Sequence, residues 1–290
     1  MILFQETAPR PELQKLSASK DLVWLTWSDI FRNSHTDFDK QLNKINEVDF
    51  IYLNKYKDYN YSFSVALSKL DKSFLHDFRN YAYSLFHFDP GDKIVFFTNL
   101  IDRKINAKVF HFLFALFRST LTEITNDKMG ALYSPLTSGK QESEFPLHCD
   151  LYIPKILFNV YEHVPRDTSG SSAFLELSEL FEVVMPQLGK VPISTIKRMK
   201  ELVYADLRKD NYDELFELLY DEKYGWSDKI KQVMDKHKFS IKLHKGEGYM
   251  LNDRIWMHGR NKTSGGISPK RLHRLIFNNF QELNKTFRKS

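Results

Sequence analysis

Past Glu144 the apolar residues stop recurring at helical spacing and fall into strand-length runs, and this change of texture constrains the fold more than any other feature of the chain. LHCDLYI, KILFNVYEHV and SSAFLEL are separated by Pro, Asp and Gly. Aromatic and β-branched runs bounded by turn formers predict strands. From about Ser178 to His237 the pattern turns helical again, with helices predicted from Leu177-Ser178-Glu179-Leu180-Phe181, over Tyr212 to Tyr220 and over Ser227 to His237. FSIKLHKG, GYMLNDRIWMHGR and RLHRLIFNNFQ then close the chain as strands. Strand blocks interrupted by one helical stretch, instead of alternating with helices, argue against a doubly wound sheet. They predict an α+β fold with an antiparallel β core dressed by helices.

Upstream, Val65, Leu67, Leu70, Phe74, Phe78, Tyr81, Tyr83 and Leu85 keep helical spacing between Ser64 and Phe86, and Asp89-Pro90-Gly91 forces a turn. A short buried strand is expected over Lys93 to Asn99, and a second helix from Asn106 to Leu121. With 290 residues and no Pro/Gly/Ser-rich linker, the chain reads as one domain. Its parts are an N-terminal elaboration over 1–143, a β core over 144–177 and 238–282, and a helical insertion over 178–237 that is expected to form a lid.

Composition narrows the function classes. No apolar run approaches the roughly 18 residues of a membrane span. The start MILFQETAPRPELQK lacks the order of a secretory signal, and Cys149 is the single cysteine, so a cytoplasmic setting is expected. The charge of +5 comes from 42 basic and 37 acidic residues that are interspersed along the chain. Nucleic acid is therefore not indicated as a partner.

Three His-x-Asp triplets occur: His35-Thr36-Asp37, His87-Phe88-Asp89 and His148-Cys149-Asp150. On a strand, this spacing puts both side chains on one face. The first triplet reads as a helix start and the second as a turn before Pro90. The third opens the strand series and has a candidate partner in His258, at the end of GYMLNDRIWMH. Two imidazoles and one carboxylate make the facial triad of non-haem iron(II), which leaves coordination positions open. The same three ligands also suit a zinc hydrolase. Cys149 should point to the opposite face as a packed side chain. Trp256 and Tyr152 read as core aromatics, and His111, His163, His237 and His244 as structural or exposed.

At these residues the sequence resembles the clavaminate-synthase-like and taurine-dioxygenase-like branch of the iron(II)/2-oxoglutarate oxygenases. The resemblance rests on His148-Cys149-Asp150, on Leu251-Asn252-Asp253-Arg254-Ile255-Trp256-Met257-His258-Gly259-Arg260, and on Arg271, thirteen positions beyond His258. It implies a double-stranded β-helix (jelly-roll) core and a metal set of His148, Asp150 and His258. It further implies Fe(II) and O2 as cofactors, with 2-oxoglutarate as co-substrate. Arg271 is expected to hold the distal carboxylate of 2-oxoglutarate, because a guanidinium stays charged and bonds both oxygens. Ser172 would supply a hydroxyl to the same carboxylate. Arg274 is the weaker cofactor candidate, because alternation in RLHRL groups Arg271 with His273 and leaves Arg274 on the other face. The implied reaction is hydroxylation of a small, amino-acid-like metabolite with release of succinate and CO2. The alternatives are an oxygenase of the same type acting on nucleic acid or protein, and a non-catalytic β-barrel binding protein.

Overall fold

The computed structural model describes residues 4–6, 22–27, 35–46, 49, 51–56, 60–86, 90–98, 107–125, 131–137, 144–151, 156–163, 170–204, 212–262 and 271–277. For residues 4–6, 22–27, 35–37, 51–56, 60–64, 84–86, 98, 107, 124–125, 131–137, 212 and 271 this description covers the backbone alone. Its strands are β1 (Phe4–Glu6), β2 (Leu22–Trp27), β3 (Ile51–Tyr56), β4 (Asn60–Ser64), β5 (Ile94–Thr98), β6 (Ala131–Thr137), β7 (Phe145–His148), β8 (Ile156–His163), β9 (Ser172–Glu176), β10 (Phe239–Ile241), β11 (Gly248–Asn252), β12 (Trp256–Arg260) and β13 (Arg271–Phe277). Three helices are interspersed among β1 to β6: α1 (His35–Asn43), α2 (Lys72–Phe86) and α3 (Ala107–Thr125). Within the insertion, α4 spans 177–188 with a π-helical middle, Leu180–Val184. It is followed by α5 (Ile193–Tyr204), α6 (Tyr212–Tyr220) and α7 (Ser227–His237).

Two sheets carry the architecture. The larger has the order β1-β2-β5-β11-β8-β13-β6 and the smaller β10-β9-β12-β7, with β3 and β4 forming a separate pair. All described pairings are antiparallel except β2 with β5. Strand alternation sorts the side chains into three apolar layers. Ile94, Phe96, Leu157, Tyr249, Leu251 and Ile276 of the large sheet face Phe174, Phe239, Ile241 and Trp256 of the small one. The alternate residues Val95, Phe97, Phe158, Val160, Met250, Leu275 and Phe277 face outward against α1, α2 and α3. There Phe114 stacks on Phe158 with ring centroids 5.7 Å apart. Truncating a fully buried Phe such as this one to Ala costs about 3–5 kcal/mol.

The insertion meets the opposite surface of the molecule. Leu147, Cys149, Leu151, Ala173, Leu175 and Met257 form the outer face of the small sheet and pack against Leu180, Val184, Met199, Leu202, Leu219, Ile230 and Met234. The described helices of the expected lid therefore back the small sheet, on the side away from the inter-sheet space. The molecule is layered helix, sheet, sheet, helix.

Three local features differ from the sequence expectation. GYMLNDRIWMHGR is two strands in two different sheets, because Asn252 breaks the run: its side chain accepts the Arg254 amide at 2.9 Å and its carbonyl accepts the Ile255 amide at 3.0 Å. The helix expected from Ser64 starts at Lys72, after a 3-10 turn at Leu67–Lys69 and an extended Leu70. Strands β1, β2, β5 and β6, all from the first 143 residues, join the large sheet, so the β core reaches further upstream than residue 144.

Candidate metal centre

In the small sheet β12 pairs with β7, and the register sets His258 opposite His148. Their imidazole centroids lie 4.4 Å apart. The strands approach closely because Gly259 follows His258: a Cβ there would meet the Phe145 carbonyl oxygen at 2.8 Å and that of Pro146 at 3.0 Å. The ladder is irregular across His258 to Arg260, where one extra β7 residue is accommodated. In that bulge the Pro146 carbonyl accepts from Nδ1 of His148 at 2.9 Å. This bond places the ring proton on Nδ1 and the ligating lone pair on Nε2.

Asp150 follows just beyond β7. Its Oδ1 lies 3.4 Å from Nε2 of His148, and its Oδ2 lies 3.4 Å from Nε2 of His258. The ligating atoms of His148, Asp150 and His258 all fall within 4.8 Å of one another, and the two histidines are buried. Nε2 of His258 is buried without a hydrogen-bond partner. A buried orphan nitrogen is costly unless something fills its lone pair, and a cation between these three side chains does so. Two imidazoles and one carboxylate fit a divalent first-row metal with positions left open. Cys149 between the ligands points away, as expected, into the outer apolar layer.

The electrostatics agree with a cation site. Burial would raise the Asp150 carboxyl, yet the Arg274 guanidinium and the two imidazoles hold it well below its usual range. Burial and the neighbouring His258 push His148 down, towards the neutral form that binds metal. Burial also pulls His258 down, but the negative carboxylates of Asp150 and Asp253 beside its Nε2 outweigh it and leave the imidazole raised. Burial pushes Asp253 itself up.

The large sheet supplies the facing wall. Arg274 bonds Asp150 through Nη1 and donates from Nε to Oδ1 of Asn159 at 3.0 Å. Ser172, 1% exposed, shares a 2.8 Å hydrogen bond with the Tyr161 hydroxyl. Arg260 stands opposite Ser172 in the ladder, two residues past His258 and hence on the same strand face. Burial lowers its guanidinium below the ordinary value.

The sequence-predicted residues separate into three groups. His148, Asp150 and His258 converge, and Ser172 lies on the inner face near them. Arg274 requires a correction: alternation along β13 does part it from His273, but the inward face is that of Arg274. His273 faces the helices, where it bonds Glu162 at 2.8 Å and stacks on Phe110. The third group is only partly described. Arg271 opens β13 opposite Thr137 and His163, and its side chain lies outside the described residues, as do those of Tyr152, His35, Asp37, His87 and Asp89. Arg260, Tyr161, Asn159 and Asp253 were missed. Arg260 was recoverable from its parity with His258; the others depend on pairings between distant strands.

No protein-family model matches the sequence. No curated protein matches it in sequence. Among solved structures the chain is similar to an asparagine oxygenase, at 12% identity and a TM-score of 0.47 over 88% of this chain and 93% of that one. It is also similar to the non-haem iron oxygenase OrfP in complex with iron, at 13% identity and a TM-score of 0.41 over 89% and 94% of the two chains. A third similar structure is PvcB, an iron- and α-ketoglutarate-dependent oxygenase from an isonitrile synthetic pathway, at 10% identity and a TM-score of 0.36 over 80% and 93%.

Proposed function

We propose that this chain is a non-haem iron(II) oxygenase that uses 2-oxoglutarate and dioxygen to hydroxylate a small, amino-acid-like metabolite, and that its two facing sheets are a double-stranded β-helix core. The observation that carries the reading is the convergence of Nε2 of His148, Nε2 of His258 and the Asp150 carboxylate inside the inter-sheet space, with the His258 nitrogen buried and making no hydrogen bond. His148, Asp150 and His258 would hold the iron. When bound, the iron supplies the oxidising chemistry that couples 2-oxoglutarate decarboxylation to hydroxylation.

The chain's own residues set up the rest. The bond from His148 to the Pro146 carbonyl fixes the tautomer, and Asp150 contributes the negative charge that favours a cation over a proton. Apolar walls of Phe174, Trp256 and Leu251 keep water from the inner face. The distal carboxylate of 2-oxoglutarate is assigned to the polar wall of Ser172 and Tyr161 with the Arg274 and Arg260 guanidiniums. Its anchor is Arg274, since that side chain points inward and is charged at every working pH. Arg271, the partner expected from motif spacing, opens the same strand.

Anaerobic addition of iron(II) and 2-oxoglutarate tests the reading, through the weak visible charge-transfer absorption of the chelate. Its appearance with the wild type and its loss in His258→Ala are expected. A protein that takes up zinc but shows no such band with iron is instead a zinc hydrolase or a binding protein. Succinate release screened across amino acids, with ¹⁸O2 label arriving in the product, then identifies the substrate class. Turnover of methylated nucleic acid or peptide alone would favour the demethylase alternative.

A further inference from the structure

We propose that Asp253 is a positioning residue of the metal centre, holding the main chain of the Asp150 ligand while it starts the turn that delivers His258; this rests on the iron reading above. Asp253 is 1% exposed, and a carboxylate so deep in an interior is retained only where its oxygens are bonded. Both are. Oδ1 accepts the backbone amide of Asp150 at 3.1 Å, and Oδ2 accepts that of Leu151 at 2.6 Å.

These two amides lie just past the end of β7. Leu151 adopts φ 52, a left-handed conformation that costs a non-glycine residue roughly 1–2 kcal/mol. Leu151 is also fully buried in the outer apolar layer. The turn therefore persists because its surroundings impose it, and the Asp253 carboxylate is the polar part of those surroundings. The bend is what leaves the Asp150 side chain facing the two imidazoles while the chain departs.

Asp253 also opens the crossing from β11 in the large sheet to β12 in the small one, five residues before His258. One carboxylate thus joins the segment that carries His148 and Asp150 to the segment that carries His258. Its Oδ1 stands 3.5 Å from Nε2 of His258, but both its oxygens accept main-chain amides, and among the described residues only His148, Asp150 and His258 bring their ligating atoms within 4.8 Å of one another. The geometry makes it a brace and not a fourth ligand. The neighbouring Arg254 grips the same loop from the other side, donating to the Leu151 carbonyl at 3.4 Å and to those of Leu202 and Val203 at 3.2 and 3.0 Å.

Asp253→Asn tests the brace, because it keeps the side-chain volume but turns an NH2 group towards one of the two amides. Apoprotein circular dichroism is expected to match the wild type. Affinity for iron(II), and for cobalt(II) read by its visible absorption, is expected to fall about 10- to 100-fold, with a shifted charge-transfer band in the ternary complex. A folded variant with wild-type metal affinity and an unshifted band overturns the proposal. Should the variant not fold, amide hydrogen exchange in the wild-type apoprotein decides. Slow exchange at Asp150 and Leu151 supports the brace, and exchange at exposed-loop rates overturns it. A wild-type protein that takes up no iron defeats the iron reading itself, and the exchange rates still report whether the two amides are held.

Discussion

Arg274 and Asp150 bind each other across the inter-sheet space, each side chain only 12% exposed. Removing one partner of such a pair leaves the other charge buried and unmatched, at about 3–5 kcal/mol. Arg274→Ala should lower apoprotein stability by that order in urea unfolding and, where Arg274 anchors the co-substrate, raise the KM for 2-oxoglutarate at least 100-fold. Arg271→Ala serves as the comparison, and a larger KM effect from that variant would move the anchor to Arg271. On the outer face, burial and the neighbouring His273 lower His111 to about 4, and burial lowers His273 as well. Both imidazoles stay neutral when folded, while the unfolded chain protonates them near 6.5, so the unfolded state binds more protons in between. Their contribution is complete above pH 6.5 and is lost as pH falls towards 4. Urea midpoints of the apoprotein should decline over that window, and His111→Gln should flatten the decline. At this scale the pairing of His148 with Asp150 was legible because period-two spacing is local, whereas His258 was reached only through the separate run that ends in it. The inward face of β13 was not, since RLHRL alternates perfectly well in either orientation and only the packing of His273 on Phe110 decides between them.

At the level of elements, the contact between β7 and β12 sets the imidazole separation, and Gly259 permits it. Gly259→Ala would drive a methyl group into the Phe145 carbonyl oxygen. It should weaken cobalt(II) affinity at least 10-fold while circular dichroism stays close to wild type; unchanged affinity would show that the strands can yield without moving the ligands. Arg254 acts between elements, tying the C-terminal carbonyls of α5 to the loop after Asp150. Arg254→Ala should cost about 3 kcal/mol, since charged hydrogen bonds contribute roughly 1.5–3 kcal/mol each and the carbonyls are left buried. Thermal unfolding checks this. The helices over Tyr212–Tyr220 and Ser227–His237 were readable from apolar periodicity alone. The division of residues 248–260 between two sheets was not, because the polar break at Asn252, Asp253 and Arg254 is only three residues long between two apolar stretches and does not say which sheet each stretch enters.

Across the whole molecule, the insertion and the N-terminal helices play equivalent parts, each covering the outer face of one sheet. Replacing 178–237 with a short Gly/Ser linker should therefore leave Leu147, Leu151, Leu175 and Met257 uncovered and yield an aggregating or molten product. A folded, iron-binding product would show that the helices only decorate the site. The described residues hold no helix long and apolar enough to cross a membrane. That β strands are joined to two helical groups could be read from the change of texture at Glu144. Which sheet each strand enters could not, because pairings such as β5 with β11 join segments far apart in the chain.

Among the described residues the small sheet ends at β7, with Pro146 in its outermost strand. A proline there offers no N–H to an incoming chain, and the bulge beside it spoils the register that a docking strand needs. The border that carries His148 therefore offers an incoming strand an interrupted ladder, which disfavours extension of the sheet over the ligands by a like molecule.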